Sequence, residues 1–77
     1  MNDARRKEIQ RAQSLIDQAK GILEAAATQE RADYDNMPQD LQDDDVGERV
    51  EDAVDTLELA AMCCDEAISA CEESIQS

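Results

Sequence analysis

Hydrophobic residues recur at alternating spacings of three and four along two long segments of the chain. In the first segment these positions are Ile9, Ala12, Ile16, Ala19, Leu23 and Ala26. In the second they are Val50, Val54, Leu57, Ala61, Cys64, Ile68, Cys71 and Ile75. This is the a/d pattern by which one helix packs along another, so it predicts two long α-helices.

The segment between the two helical patterns carries turn signals. Pro38 cannot continue a helix, and it also pushes the preceding Met37 out of helical geometry. Asp45 followed by Glu48 resembles a capping box, which marks the start of a helix. We therefore predict a helix over about 3–34, a loop over 35–45 and a second helix over 46–76.

The two helices are predicted to fold back on each other as an antiparallel hairpin. If each a residue of one helix faces a d residue of the other, as Ile16 faces Cys64, the paired positions sum to 80 and the turn is centred on Asp40. The same register places Arg6 near Glu72 and Lys20 near Glu58. Such flanking charge pairs set helix orientation more than stability.

One flank of the hairpin is nearly free of charge, and we call it the apolar strip. It comprises Leu15, Ile22, Ala25, Ala53, Ala60, Cys63 and Ala67. A chain of 77 residues with twelve alanines and no Phe or Trp has a thin core, so self-association would add needed burial. The strip predicts a homodimer, most simply a four-helix bundle. High alanine helix propensity is the alternative explanation, but it does not account for Leu15 and Ile22.

The other flank of the second helix is strongly acidic, and we call it the acidic ribbon. It comprises Asp44, Asp45, Glu48, Glu51, Asp52, Asp55, Glu58, Asp65 and Glu66, together with the apolar Leu59 and Met62. The chain has a formal net charge of −13, which argues against direct binding to nucleic acid or to an anionic membrane. The charge favours either a basic protein partner or simple solubility.

Leu59 and Met62 have two possible roles within the ribbon. Single exposed apolar residues are ordinary on protein surfaces. A Leu and a Met three residues apart in an acidic surface are also suited to anchoring a protein partner, with the charges steering its approach.

The chain lacks the residue patterns typical of catalysis or of zinc binding. There is no histidine, so the commonest general base and zinc ligand are missing, and we expect no enzymatic activity, cofactor or metal. Cys64 and Cys71 fall on the predicted core seam as small hydrophobic residues, whereas Cys63 points toward the apolar strip. The loop acids suit calcium chemically, but their spacing does not fit an EF-hand loop, so calcium binding is a less favoured alternative.

Targeting signals are not evident. The N-terminus MNDARRKE lacks the apolar stretch of a secretory signal, and no apolar run approaches the ~18 residues of a membrane span. The three clustered cysteines do not form a disulfide framework, so we expect a cytoplasmic protein.

Several segments resemble small acidic helical-hairpin proteins of tailed phages and prophages. The resemblance lies in RRKEIQRAQSLIDQAKGILEAA, in the connection YDNMPQDLQ, and in DDDVGERVEDAVDTLELA. It implies a small binder of a host or defence protein, including inhibitors of immune nucleases or of DNA-binding proteins. The leading hypothesis is therefore a non-enzymatic acidic inhibitor that mimics nucleic acid, with a purely structural or assembly module as the alternative.

Overall fold

The computed structural model describes residues 1–77 and is entirely helical apart from its ends and turns. Helix α1 spans Asp3–Asp35, a short helix α2 spans Gln39–Gln42, and α3 spans Asp45–Gln76. Helices α1 and α3 lie side by side in opposite directions, which confirms the predicted all-α hairpin. The molecule is a rod of 58 × 14 × 12 Å with a radius of gyration of 17.4 Å. A compact globule of this length would have a radius of gyration of only about 12 Å.

Side-chain caps define where the two long helices begin. The Asn2 side chain accepts a hydrogen bond from the Arg5 amide at 2.8 Å, and the Asp44 side chain accepts one from the Val46 amide at 2.8 Å. The predicted capping box at Asp45 and Glu48 is therefore wrong by one residue. Asp44 is the cap because its extended backbone conformation lets the carboxylate turn back onto the first free amides.

The connection between the helices is more ordered than a simple loop. Pro38 caps α2, whose last residue, Gln42, donates from Nε2 to the Tyr34 carbonyl at 2.9 Å and to the Met37 carbonyl at 3.2 Å. These bonds join α2 to the backbone at the end of α1. Gly47 is buried against the backbone of Gln42, so one short segment holds both long helices together.

The face that α1 turns toward α3 differs from the predicted a/d seam. Ile9, Ile16, Leu23 and Ala26 are half-buried as expected, but Ala12 and Ala19 are exposed. Their places are taken by the next residue along the chain, Gln13 and Lys20, and Ala27 is buried beside Ala26 at the corresponding position of the next heptad. Long side chains bury more aliphatic surface than alanine, and their polar ends remain free to bond the acids of α3. This rotation of α1 is the main difference between the structure and the predicted hairpin.

On α3 the predicted seam is buried or half-buried along its whole length. The alanines Ala53, Ala60 and Ala67 are half-buried beside it, so they also face α1. The core itself remains thin, since only Ala27, Gly47, Val54 and Ala61 are buried among the 77 residues.

The cross-helix charge pairs are shifted by one heptad from the predicted ones. Lys20 Nζ lies 2.7 Å from Asp65 Oδ1 instead of pairing with Glu58, and Glu72 accepts from Gln13 at 3.1 Å instead of pairing with Arg6. Side chains slant toward the N-terminus of their own helix. In an antiparallel pair, two side chains that meet across the interface therefore start further along their own helices than the core residues at the same level. The sum of their two position numbers is then larger than the sum for a core layer.

Arg6 bonds to the end of α3 instead. Its side chain donates to the Ile75 carbonyl at 3.1 Å and to the Ser77 carbonyl at 3.3 Å. Helix α3 has no basic residue in its last turn, so Arg6 supplies the positive charge that the C-terminal carbonyls favour.

Candidate protein-interaction surfaces

Every residue of the acidic ribbon is exposed along α3. No lysine or arginine follows Arg49, so the ribbon has no counter-charge of its own beyond that point. Net charge is −10 over residues 33–58, against +2 over residues 1–20. The negative potential is therefore concentrated at the loop end of the rod and along α3.

Some ribbon acids already have partners within the hairpin. Asp44 caps α3, Asp65 pairs with Lys20, and Glu58 accepts from Arg31 Nη2 at 3.3 Å. Hydrogen bonding to Asp65 raises the pKa of Lys20, and the attraction between the two charges adds to this effect. The acids of the ribbon without such an ion pair are Asp45, Glu48, Glu51, Asp52, Asp55 and Glu66. Ligand binding through the ribbon would thus rely chiefly on this second group.

The two apolar residues of the ribbon are well exposed. Leu59 is 57% exposed and Met62 is 59% exposed. They lie three residues apart, so they are neighbours on one face of α3. Together they form an apolar contact point bordered by carboxylates.

The apolar strip divides into exposed and half-buried parts. Leu15 is 54% exposed, Ile22 is 70% exposed, and Ala25 and Cys63 are also exposed. The rotation of α1 widens the strip, because it leaves Ala12 and Ala19 open to solvent beside Leu15 and Ile22. The alanines of α3 contribute less free surface, since they are half-buried against α1.

A groove that was not predicted from the sequence lies between α1 and α3, on the side of the Lys20–Asp65 pair. Its volume is about 630 Å³, and Ala27 and Ala61 line it together with Met62. Lys20–Asp65 and Arg31–Glu58 both cross the groove from α1 to α3. Small residues in both helices at one level create the space. The signal in the sequence was Ala27, which has the same heptad position as Gln13 and Lys20 in the two preceding heptads but a much shorter side chain.

A second, smaller cavity of about 250 Å³ adjoins the groove on its loop side. It is lined by Tyr34, Glu51, Val54 and Asp55, and it shares Arg31 with the groove. Hydrogen bonding to the Glu51 carboxylate raises the pKa of Tyr34, with burial and the negative charges nearby acting in the same direction. Tyr34 thus lies in a markedly acidic environment.

No group of three or more His, Cys, Asp or Glu residues is arranged to hold a metal ion. None of the helices combines the length and apolar character needed to cross a membrane. Cys64 and Cys71 are half-buried and Cys63 is exposed, with all three thiols free.

Comparison with protein-family models, with curated proteins and with solved structures finds no match to this chain. Functional inference therefore depends on the surfaces themselves.

Proposed function

We propose that this protein is a non-enzymatic acidic binding module whose ligand is a basic protein surface. The observation that supports this most directly is the acidic ribbon, which is exposed along α3 and contains the apolar pair Leu59 and Met62. Charge of one sign accelerates encounter with an oppositely charged partner, and a central apolar contact slows dissociation.

The partner proposed here is a protein that normally holds nucleic acid. Carboxylates on adjacent turns of one helix lie ~5–6 Å apart, so the ribbon offers a dense line of negative charge to a basic groove. The resemblance to small acidic hairpin proteins of phages suggests a phage-encoded inhibitor of a host or defence protein, acting in the bacterial cytoplasm.

The functional unit we propose is a homodimer joined through the apolar strip as a four-helix bundle. Full burial of a leucine or isoleucine contributes about 1.5–3 kcal/mol, and each copy offers Leu15 and Ile22. An antiparallel arrangement of the two rods is favoured because it separates the two loop ends, each of which carries a net charge of −10 over residues 33–58. The acidic ribbons would then remain free on the outside of the bundle.

A structural or assembly module is the second candidate. The exposed strip on a rod 58 Å long supports it, because such a rod is suited to lateral packing. In that case the acidic ribbon would serve solubility alone.

Salt dependence of binding separates the two candidates. The purified protein is immobilised, partners are captured from bacterial extract, and retention is compared at low and high salt and with added duplex DNA. A nucleic-acid mimic should lose its partner steeply with salt, and DNA should compete. Equal retention at low and high salt would exclude phosphate mimicry.

A variant with fewer ribbon charges tests the same proposal. Replacing Glu51, Asp52, Asp55 and Glu66 by their amides removes four charges while keeping side-chain shape. The variant should retain its helicity and lose the partner. Undiminished capture by this variant would favour the structural module.

A further inference from the structure

Resting on the proposed function, we propose that the groove between α1 and α3 is a docking site for a partner helix that presents arginine side chains. The proposal extends the interaction surface from the outer face of α3 to residues of both helices. It also specifies the chemistry of the ligand, which the acidic ribbon alone does not.

The shape of the groove suits a long side chain with an apolar stem. Ala27 and Ala61, which line it, are only 6% and 7% exposed, so they lie deep between the helices. Met62 stands over the same space, and its unbranched thioether adapts to differently shaped occupants. A methylene stem placed on these three residues would be removed from water.

The charges around the groove favour a cationic end group. Lys20 and Arg31 are already paired with Asp65 and Glu58, whereas Glu24 and Asp35 line the groove without any ion pair. The lining thus has a net charge of −2, and its two unpaired carboxylates both come from α1.

Asp35 gives a separate reason to expect a bound cation. It is the last residue of α1, and the last turn of this helix contains no basic residue. A carboxylate at a helix C-terminus is opposed by the helix dipole. A cation docked in the groove would relieve this unfavourable interaction.

Arginine fits the groove better than lysine. Its guanidinium group is less strongly hydrated than an ammonium group, and it bonds carboxylates through two parallel N–H donors. Moving an arginine side chain into an apolar site bordered by carboxylates therefore costs less free energy of desolvation than moving a lysine side chain there.

The adjoining cavity indicates how the arginines would be spaced. Val54 lines that cavity and Ala61 lines the groove, so the two spaces are separated by seven residues of α3. Seven residues are about two helical turns, or roughly 10 Å. A partner helix lying along the hairpin would reach both spaces with arginines at positions i and i+7, and the second would meet Glu51 and Asp55.

The test uses the full-length protein and a defined probe. The probe is a fluorescently labelled alanine-rich helical peptide with two arginines seven residues apart, and binding is measured by anisotropy in about 0.1 M salt, where screening acts over ~10 Å. Amide chemical shifts of the isotope-labelled protein locate the contact. The expected shifts are centred on Ala27, Ala61 and Met62.

Two pairs of variants make the experiment decisive. Glu24→Gln should weaken peptide binding about three- to fivefold, as expected for an exposed ion pair. Glu73→Gln makes the same change on α3 away from the groove and should leave the affinity within about 1.5-fold, because screening removes distant charges. Asp35→Asn should weaken binding and yet raise the melting temperature, which a merely structural role for Asp35 would not produce. Asp17→Asn changes an exposed acid of α1 outside both the groove and the acidic ribbon, and it is the control.

The outcomes distinguish this inference from the proposed function. Peptide binding with equal losses in Glu24→Gln and Glu73→Gln would overturn the groove, because it would show that net charge alone attracts the peptide. Equal affinity for the lysine analogue of the peptide would overturn the preference for arginine. Absence of binding even at low salt would also overturn the groove, whereas the proposed function is decided by the salt-dependent capture of a partner. Groove shifts that depend on protein concentration without peptide would identify a second copy as the occupant.

Discussion

The α-carbon of Gly47 packs against the backbone of Gln42, so a β-carbon at position 47 would overlap the Gln42 carbonyl oxygen. Gln42 in turn holds the end of α1 through its side-chain bonds to Tyr34 and Met37. The absence of a side chain at position 47 is therefore what allows the connection to close between the two long helices.

We expect Gly47→Ala to destabilise the hairpin. Forcing one extra carbon against backbone costs about 1–3 kcal/mol, which exceeds or cancels the ~1 kcal/mol gained in helix propensity. Gly21→Ala is the matched control, because a β-carbon at Gly21 meets nothing within 4 Å. Thermal unfolding followed by circular dichroism should show a lower melting temperature for the first variant and a higher one for the second. Stabilisation by both substitutions would contradict the close contact.

The alkaline titration of Tyr34 should report the acidic surroundings of the turn. Tyr34 is the only aromatic residue, so tyrosinate absorbance measures it alone. Its midpoint should lie above the ordinary value of 10.0 and should fall when Glu51 is replaced by Gln. Glu48→Gln changes a neighbouring acid by the same chemistry and should have little effect. An unchanged midpoint in Glu51→Gln would refute the assigned cause.

The folded protein should lose stability at high pH, because Tyr34 and Lys20 hold their protons more tightly in the folded chain than in the unfolded chain. The pKa values of Tyr34 and Lys20 are both raised in the folded protein, so their contributions are complete below the unfolded values of 10.0 and 10.5. These contributions are lost as the pH rises through the folded values. Urea unfolding at a series of pH values should show this loss of stability above about pH 10. The loss should be smaller in the Lys20→Met variant.

Dimerisation through the apolar strip should be sensitive to charge at its centre. Ile22→Arg places a cation at a position that is 70% exposed in the single chain, so helicity should persist while the dimer dissociates. Sedimentation equilibrium gives the mass, with the 8.5 kDa chain as the reference. Lys7→Glu, an exposed change of charge outside the strip, serves as the control. A wild-type mass of one chain at micromolar concentration would exclude the dimer.

Thiol reactivity should differ among the three cysteines. Cys63 is exposed, whereas Cys64 and Cys71 are half-buried, so Cys63 should react first with an aromatic disulfide reagent. Peptide mass spectrometry after brief labelling identifies the modified residue. In a strip-mediated dimer this reaction should slow as protein concentration rises. Labelling of Cys64 or Cys71 ahead of Cys63 would contradict the orientation of α3.

Part of the architecture follows from local sequence properties. Alternating spacings of three and four identify α1 and α3 because such spacing aligns apolar residues along one side of a helix. Pro38 interrupts the pattern for steric reasons that need no tertiary context. The seam of α3 was predicted correctly because its larger residues, such as Val54 and Leu57, leave little choice of buried face.

The predicted seam of α1 was wrong at Ala12 and Ala19, because alanine occupies much of that seam. Ala12 and Ala19 bury too little surface to determine how the helix is rotated. The aliphatic stems of Gln13 and Lys20 bury more surface against α3 than the alanines would, and their polar ends bond to Glu72 and Asp65. That outcome depends on which acids α3 presents at the same level.

The sequence by itself determined the two helices, the position of the turn and the unequal distribution of charge, because these depend on spacing and residue type within one segment. Only the tertiary structure decided the rotation of α1, the ion pairs between α1 and α3, and the groove bordered by Ala27 and Ala61. Each of these arises from side chains that are distant along the chain and meet only when the helices pack. The rotation that exposes Ala12 and Ala19 on one side buries Ala27 on the other, so a single packing choice shapes both the apolar strip and the groove.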